Sequence, residues 1–220
     1  MSYVHGESII RIALADDDLT LQDLLPSYLD SLENCKVVMQ VTNGRDLLEK
    51  LKHKPDIDLL LLNIKLPQVN GYEAARKIKQ DRPEIKIVFS SAYINELVYC
   101  QLISIGVDGF ILKGSATPEF RRAIFEVMRQ GYYFSGFPVS INKKKLNGYG
   151  KTHKLESLIT EEELRFLHLI CSDKTYKTIA HEMSITRRHC DYIRESLFQK
   201  FDVSNRVELA LFAYKGGVYT

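Results

Sequence analysis

The sequence has no apolar stretch approaching the ~18–20 residues of a membrane-spanning helix, so no membrane partner is expected. Its start, MSYVHGESIIRIALADDD, does not read as a secretory leader, because Arg11 interrupts the apolar run and three aspartates end it. Cysteine is scarce. Cys35, Cys100, Cys171 and Cys190 stand apart without paired spacing, which fits small buried side chains in a reducing cytoplasm and offers no zinc-ligand pattern. A strong charge excess is also missing. The formal net charge is +2, so any contact with a polyanion must come from a local patch. A mostly disordered chain is excluded by a composition of 45% hydrophobic and 26% charged residues.

What is present is an alternation. Over residues 1–130 short apolar runs alternate with helical patterns. Ile9–Ala15, Lys36–Val41, Asp58–Asn63, Lys86–Ser90 and Gly109–Lys113 read as strands. Leu19–Ser31, Arg45–Lys52, Tyr72–Gln80 and Ile94–Ile105 read as helices, and a fifth runs from Thr117 as N-cap, with Pro118 at the first helical position, to Gln130. Five strands alternating with five helices predict an α/β layering, a five-stranded parallel sheet covered on both faces. The run LLLL at 59–62 suits a central strand of such a sheet. Pro26 should kink or shorten the first helix.

Residues 131–157 break this pattern. They hold Gly131, Gly136, Gly148 and Gly150, a basic run Lys143–Lys145, and no acidic residue before Glu156. They read as a linker, with order expected at most over Tyr132–Phe137. Residues 158–220 are helical throughout. Thr160 and Glu163 form a capping box before LRFLHLI, and a short helix covers Lys177–Met183. After the turn Ser184-Ile185-Thr186, a longer helix spans Arg187–Phe201, with Cys190, Ile193, Leu197 and Phe201 at helical spacing. A last helix starts near Arg206. The organisation is thus 1–130, linker 131–157, and 158–220.

Chemistry collects at the strand ends, where parallel sheets bind their ligands. The first strand ends in Asp16-Asp17-Asp18, the third in Asn63, the fourth in Ser90-Ser91 and the fifth in Lys113. Carboxylates hold a hard cation, and a lysine and a hydroxyl hold phosphoryl oxygens. Asp18 by itself reads as a helix N-cap.

The segments IALADDDLTLQDLL, DLLLLNIKLPQVNGYEA, KIVFSSAY and GVDGFILKGSATPEF resemble the successive motifs of NarL/FixJ-class receiver domains, over residues 8–130. The resemblance implies that Asp16 and Asp17 are the metal-binding pair, Ser91 the switch hydroxyl, Phe110 the aromatic switch position and Lys113 the pocket lysine. Pro67 and Gly71 fall in the loop after the third strand. The departure is Asn63, at the phospho-acceptor position. A carboxamide has neither the nucleophilicity nor the charge of a carboxylate, so phosphotransfer is not expected and Mg²⁺ binding is expected to be weakened. A naturally acceptor-free receiver and an Asp→Asn exchange both remain open here.

Residues 156–218, with TEEE, IAHEMSIT and KFDVSNRVELALFA, resemble the LuxR-type helix-turn-helix domain. By that resemblance Arg187–Phe201 enters the major groove. Thr186 should cap it. Arg187, Arg188, Arg194 and Lys200 become candidate phosphate contacts, and the Arg187-Arg188 pair at a positive helix end points to an anion there. Asp191, Tyr192 and Glu195 occupy the base-reading face. Two carboxylates there are unfavourable near phosphate, and they could instead pair with neighbouring arginines. Residues 151–220 carry 11 Lys+Arg against 10 Asp+Glu, so non-specific affinity should be weak and dependent on dimerisation. The last helix offers Leu209, Ala210, Phe212 and Ala213, divided between core and dimer contact. Two functions follow as expectations. One is a cytoplasmic, homodimeric DNA-binding transcription regulator in a phosphorelay with a sensor histidine kinase. The other is a protein-interaction adaptor with little DNA affinity. Neither is an enzyme.

Overall fold

The computed structural model describes residues 9–53, 55–135 and 159–218. The expected run Lys143–Lys145 and most of the linker lie outside these residues.

The first unit contains residues 9–92 and 105–135 of the described chain. Its strands are β1 (Ile10–Ala15), β2 (Cys35–Val41), β3 (Leu59–Asn63), β4 (Lys86–Ser91), β5 (Gly109–Leu112) and β6 (Tyr133–Phe134). All neighbours are parallel, in the order β2-β1-β3-β4-β5-β6. Leu59 to Leu62 are all buried, so β3 is covered on both sides. Successive side chains alternate faces. Leu59 and Leu61 join Ile12 and Leu14 in an apolar cluster with α1 (Leu19–Asp30) and α5 (Thr117–Gln130). The opposite face carries α2 (Gly44–Lys52) and α3 (Gly71–Asp81), and on that side Tyr72 packs with Phe89, ring centroids 5.7 Å apart.

The sheet has six strands, not the expected five. Gly131, with φ 92°, ends α5 in a left-handed cap and returns the chain along β5. Tyr133 N–H then donates to the Asp108 carbonyl at 3.0 Å, and Ser135 N–H to the Phe110 carbonyl at 2.9 Å. A second correction concerns the start of α5. The cap is Ala116, without a side-chain bond, and Thr117 is already helical. The preset φ of Pro118 fits either of the first two helical positions. Pro26 lies inside α1, and the helix continues to Asp30.

The second unit contains residues 93–104 and 159–218 of the described chain. It includes α4 (Glu96–Ile105), up to Ser104, then α6 (Glu161–Ile170), α7 (Tyr176–Glu182), α8 (Arg187–Phe201) and α9 (Arg206–Lys215). One apolar cluster unites Leu97, Phe166, Leu167, Ile179, Cys190, Ile193, Leu197, Leu209 and Ala213. The period of Cys190, Ile193, Leu197 and Phe201 places the buried stripe of α8 on this core and leaves its other faces outward. Caps are set by short polar side chains. Thr160, Thr175, Thr186 and Asn205 each accept from the backbone N–H three residues on.

Candidate functional site

The strand order reverses beside β1, so the crevice at the C-terminal ends of β1 and β3 is where this fold places a ligand. Asp16 follows β1. Its backbone N–H donates to Val41 at 3.1 Å, and the Gln22 carboxamide holds the Asp16 and Val41 carbonyls at 2.9 and 2.8 Å. The loop after β3 is clamped by close backbone approach. A Cβ on Gly71 would lie 2.2 Å from the Asn63 carbonyl oxygen, which only glycine avoids. Within that loop Gln68 takes φ 68°, a left-handed conformation.

Asp16, Asp17, Asn63 and Lys113 converge. Lys113 Nζ donates to Asp16 Oδ1 at 2.7 Å, with the lysine side chain 17% exposed and the carboxylate 6%. Asn63 Nδ2 donates to Asp17 Oδ1 at 2.7 Å and to the Lys65 carbonyl at 3.0 Å, with Asp16 Oδ1 a longer third acceptor at 3.3 Å. Asn63 Oδ1 accepts from Lys65 N–H at 3.3 Å. Three acceptors surround one end of the amide, which assigns its –NH₂ there. The donor end of Asn63 therefore stands against both carboxylates, where a cation would have to sit. The pocket so arranged does not fit Mg²⁺: two carboxylates are turned to an N–H donor, and the third position offers hydrogens, not an oxygen. Among the described residues no group of three or more Asp, Glu, His or Cys is disposed to hold a metal ion.

The two serines at the end of β4 differ. Ser90, named in the sequence only as a strand-end hydroxyl, directs that hydroxyl toward Asp16 Oδ2 at 3.5 Å, the outer limit of a hydrogen bond. Ser91, expected as the switch hydroxyl, is buried, and its carbonyl receives Lys113 N–H at 2.7 Å. Phe110 is fully buried in β5, beside Phe89 in register.

On α8, Arg187, Arg188, Asp191, Tyr192 and Glu195 are exposed or half-exposed, and Tyr192 is 67% exposed. Arg188 makes no ion pair among the described residues, whereas Arg187 and Arg194 do. Arg187 Nε donates to Asp191 at 3.1 Å, Arg194 reaches Asp191 at 3.0 Å, and Arg194 reaches Glu195 at 2.6 Å. The Glu195 hydrogen bond, with Asp191 nearby, holds Arg194 still more firmly protonated. A residue missed in the sequence, Tyr176, lies beneath both. The guanidinium carbons of Arg187, Arg194 and Arg206 lie 5.3, 5.1 and 5.3 Å from its ring centre. Burial pushes the Tyr176 hydroxyl up, against the pull of the arginines. Lys200 is placed differently from the other basic candidates. Its ammonium sits on the buried Glu163 at 2.6 and 2.8 Å, the carboxylate that also closes the capping box of α6.

Comparison with known proteins places both halves. The response regulator receiver domain family matches residues 12–125, and the luxR family of bacterial regulatory proteins matches residues 157–213. Response regulator protein VraR of Staphylococcus saprophyticus is 26% identical over 206 residues, covering 94% of this chain and 97% of that protein. Response regulator GacA of Pseudomonas viridiflava is 26% identical over 213 residues, covering 96% and 98%. RcsB from Salmonella enterica serovar Typhimurium, solved bound to promoter rprA with a phosphomimetic, shares the fold at TM-score 0.64 and 19% identity, covering 94% and 98%. A structure of two RcsB dimers on two parallel DNAs aligns with TM-score 0.64 at 18% identity, covering 94% and 99%.

Proposed function

The chain belongs to the DNA-binding response regulators, transcription regulators that join a receiver domain to a luxR-family domain, and from that premise we propose that its receiver acts without metal or phosphoryl group. The observation that carries the proposal is the Asn63 carboxamide, donating to Asp17 at 2.7 Å beside the Lys113–Asp16 pair. Acyl phosphate formation needs a carboxylate oxygen as nucleophile and a cation to offset charge. Asn63 supplies neither, and its N–H occupies the acidic end of the pocket. A receiver of this kind takes its input by protein binding. A sensor histidine kinase or a second regulator suits that surface as a docking partner rather than as a phosphate donor.

The output is sequence reading by α8. Arg188, exposed at the capped start of the helix, is the phosphate contact, and Tyr192, the most exposed aromatic on the helix, meets base edges. Val207, Leu211 and Tyr214, exposed at 66, 52 and 51%, form a stripe along α9 at helical spacing. A second copy of the chain covers that stripe, in keeping with the dimers that RcsB forms on DNA.

Selection from random duplexes tests the reading. The wild type should enrich one two-half-site sequence. Arg188→Ala should weaken all duplexes alike and lower the salt slope by about one unit. Tyr192→Ala should alter which sequence is enriched. Failure of the wild type to enrich any site at low salt would remove the regulator reading and leave a protein-interaction adaptor.

A further inference from the structure

Arginines on a recognition helix ordinarily add to the attraction for any phosphate backbone, whatever its sequence. Here two of the four basic candidates on α8 are already neutralised by carboxylates on the same helix. Asp191 stands between them. One of its oxygens accepts from Arg187, four residues earlier, and the other from Arg194, three residues later. Arg194 has no free edge: Nε and one terminal nitrogen meet Glu195 at 3.2 and 2.6 Å, and the other meets Asp191 at 3.0 Å. Both guanidiniums also lie over the Tyr176 ring, which fixes them against the surface of the domain. Lys200 is committed to Glu163. Arg188 is left as the uncompensated cation on the exposed face of α8 among the described residues.

We propose that Asp191 is a specificity-determining residue that withholds Arg187 and Arg194 from generic DNA. The inference rests on the reading of α8 as the DNA-contacting helix. Exposed pairs three or four residues apart on a helix contribute little to stability, so Asp191 is not there to hold the fold. Its effect is on charge. A phosphate approaching Arg187 meets a carboxylate 3.1 Å from the guanidinium, and few counterions are released. Because the pair is weak, a correctly placed base edge or phosphate can open it. Asp191 can then accept a hydrogen bond from a cytosine amino group while the arginine turns to the backbone. Generic sequences offer no such acceptor exchange and see a nearly neutral helix face.

The experiment measures binding of the full chain to a labelled scrambled duplex across salt concentrations from ~50 to ~300 mM, by fluorescence anisotropy. Asp191→Asn frees Arg187 and should steepen the salt slope by about one unit, with affinity for the scrambled duplex up about tenfold near 0.1 M salt. Adding Glu195→Gln frees Arg194 and should steepen it by about one more. Asp191→Glu keeps the pair and should behave as the wild type. Arg187→Gln added to Asp191→Asn should return the slope to the wild-type value, which a merely altered fold would not do. An unchanged slope in Asp191→Asn, or an equal gain in Asp191→Glu, overturns the proposal. If Asp191→Asn gains generic binding while the wild type enriches no sequence in selection, the withholding of arginines stands and the regulator reading falls. If the wild type enriches a site and Asp191→Asn gains nothing, the reverse holds.

Discussion

Single side chains decide what the receiver pocket can do. The Asp16 side chain is 6% exposed and its Oδ1 meets Lys113 Nζ at 2.7 Å, Asp18 N–H at 3.0 Å and Asn63 Nδ2 at 3.3 Å. A buried carboxylate left without its cation partner is costly, because its desolvation is no longer offset. Lys113→Met should therefore lower stability by about 2 kcal/mol, less than a fully buried pair would because the lysine keeps some solvent contact. Combining it with Asp16→Asn should recover most of the loss, since no unpaired charge remains. Urea denaturation of the three variants measures this, and a double variant as unstable as the single one would show that the pocket is held by something other than this charge balance. The strand-end positions of Asp16, Asn63 and Lys113 could be read from the sequence, because the ends of parallel strands must share one edge of the sheet. The direction of the Asn63 amide could not. It depends on three acceptors, on Asp16, Asp17 and Lys65, whose distances are set by the packing of the loop. The reach of the Ser90 hydroxyl toward Asp16 Oδ2 at 3.5 Å was likewise not legible, since it depends on the pleat of β4, in which adjacent residues point to opposite faces.

At the scale of elements, periodic segments announced themselves and short or tertiary ones did not. The Thr160–Glu163 capping box is present as its spacing implied, and Thr186 caps α8 through His189 N–H at 3.2 Å. β6 escaped notice because two residues carry no period; its pairing follows from the turn at Gly131. The role of Lys200 was also hidden, since Glu163 lies 37 positions away in the chain. That contact joins α6 to α8 through a carboxylate that already accepts Thr160 N–H at 2.8 Å. Glu163→Ala removes both interactions and should cost about 2 kcal/mol, combining a lost cap with a lost partly buried ion pair. Lys200→Ala should cost about 1 kcal/mol and leave the salt slope of DNA binding unchanged. Thermal unfolding together with the salt titration checks both. A slope reduced by about one in Lys200→Ala would mean that the lysine leaves Glu163 for a phosphate.

For the whole molecule, the near-neutral formal charge and the compensated arginines of α8 should make affinity for DNA depend on two copies acting together. Linking two weak half-site contacts multiplies their effect without any new contact. The apolar stripe of Val207, Leu211 and Tyr214 is the surface that should join them. Leu211→Arg should keep the fold, because the side chain is 52% exposed, and should leave the protein monomeric, whereas the wild type should dimerise. Analytical ultracentrifugation reads the difference, and an unchanged dimer would locate the interface elsewhere. In the other unit, the Asn63 pocket should neither need nor accept a phosphoryl group. Incubation with acetyl phosphate and Mg²⁺ followed by intact mass spectrometry tests it most directly. The chain should remain at its own mass, and Asn63→Asp should gain the ~80 Da of a phosphoryl group by attack of the restored carboxylate. A stable gain of that size in the Asn63 protein would contradict the claim.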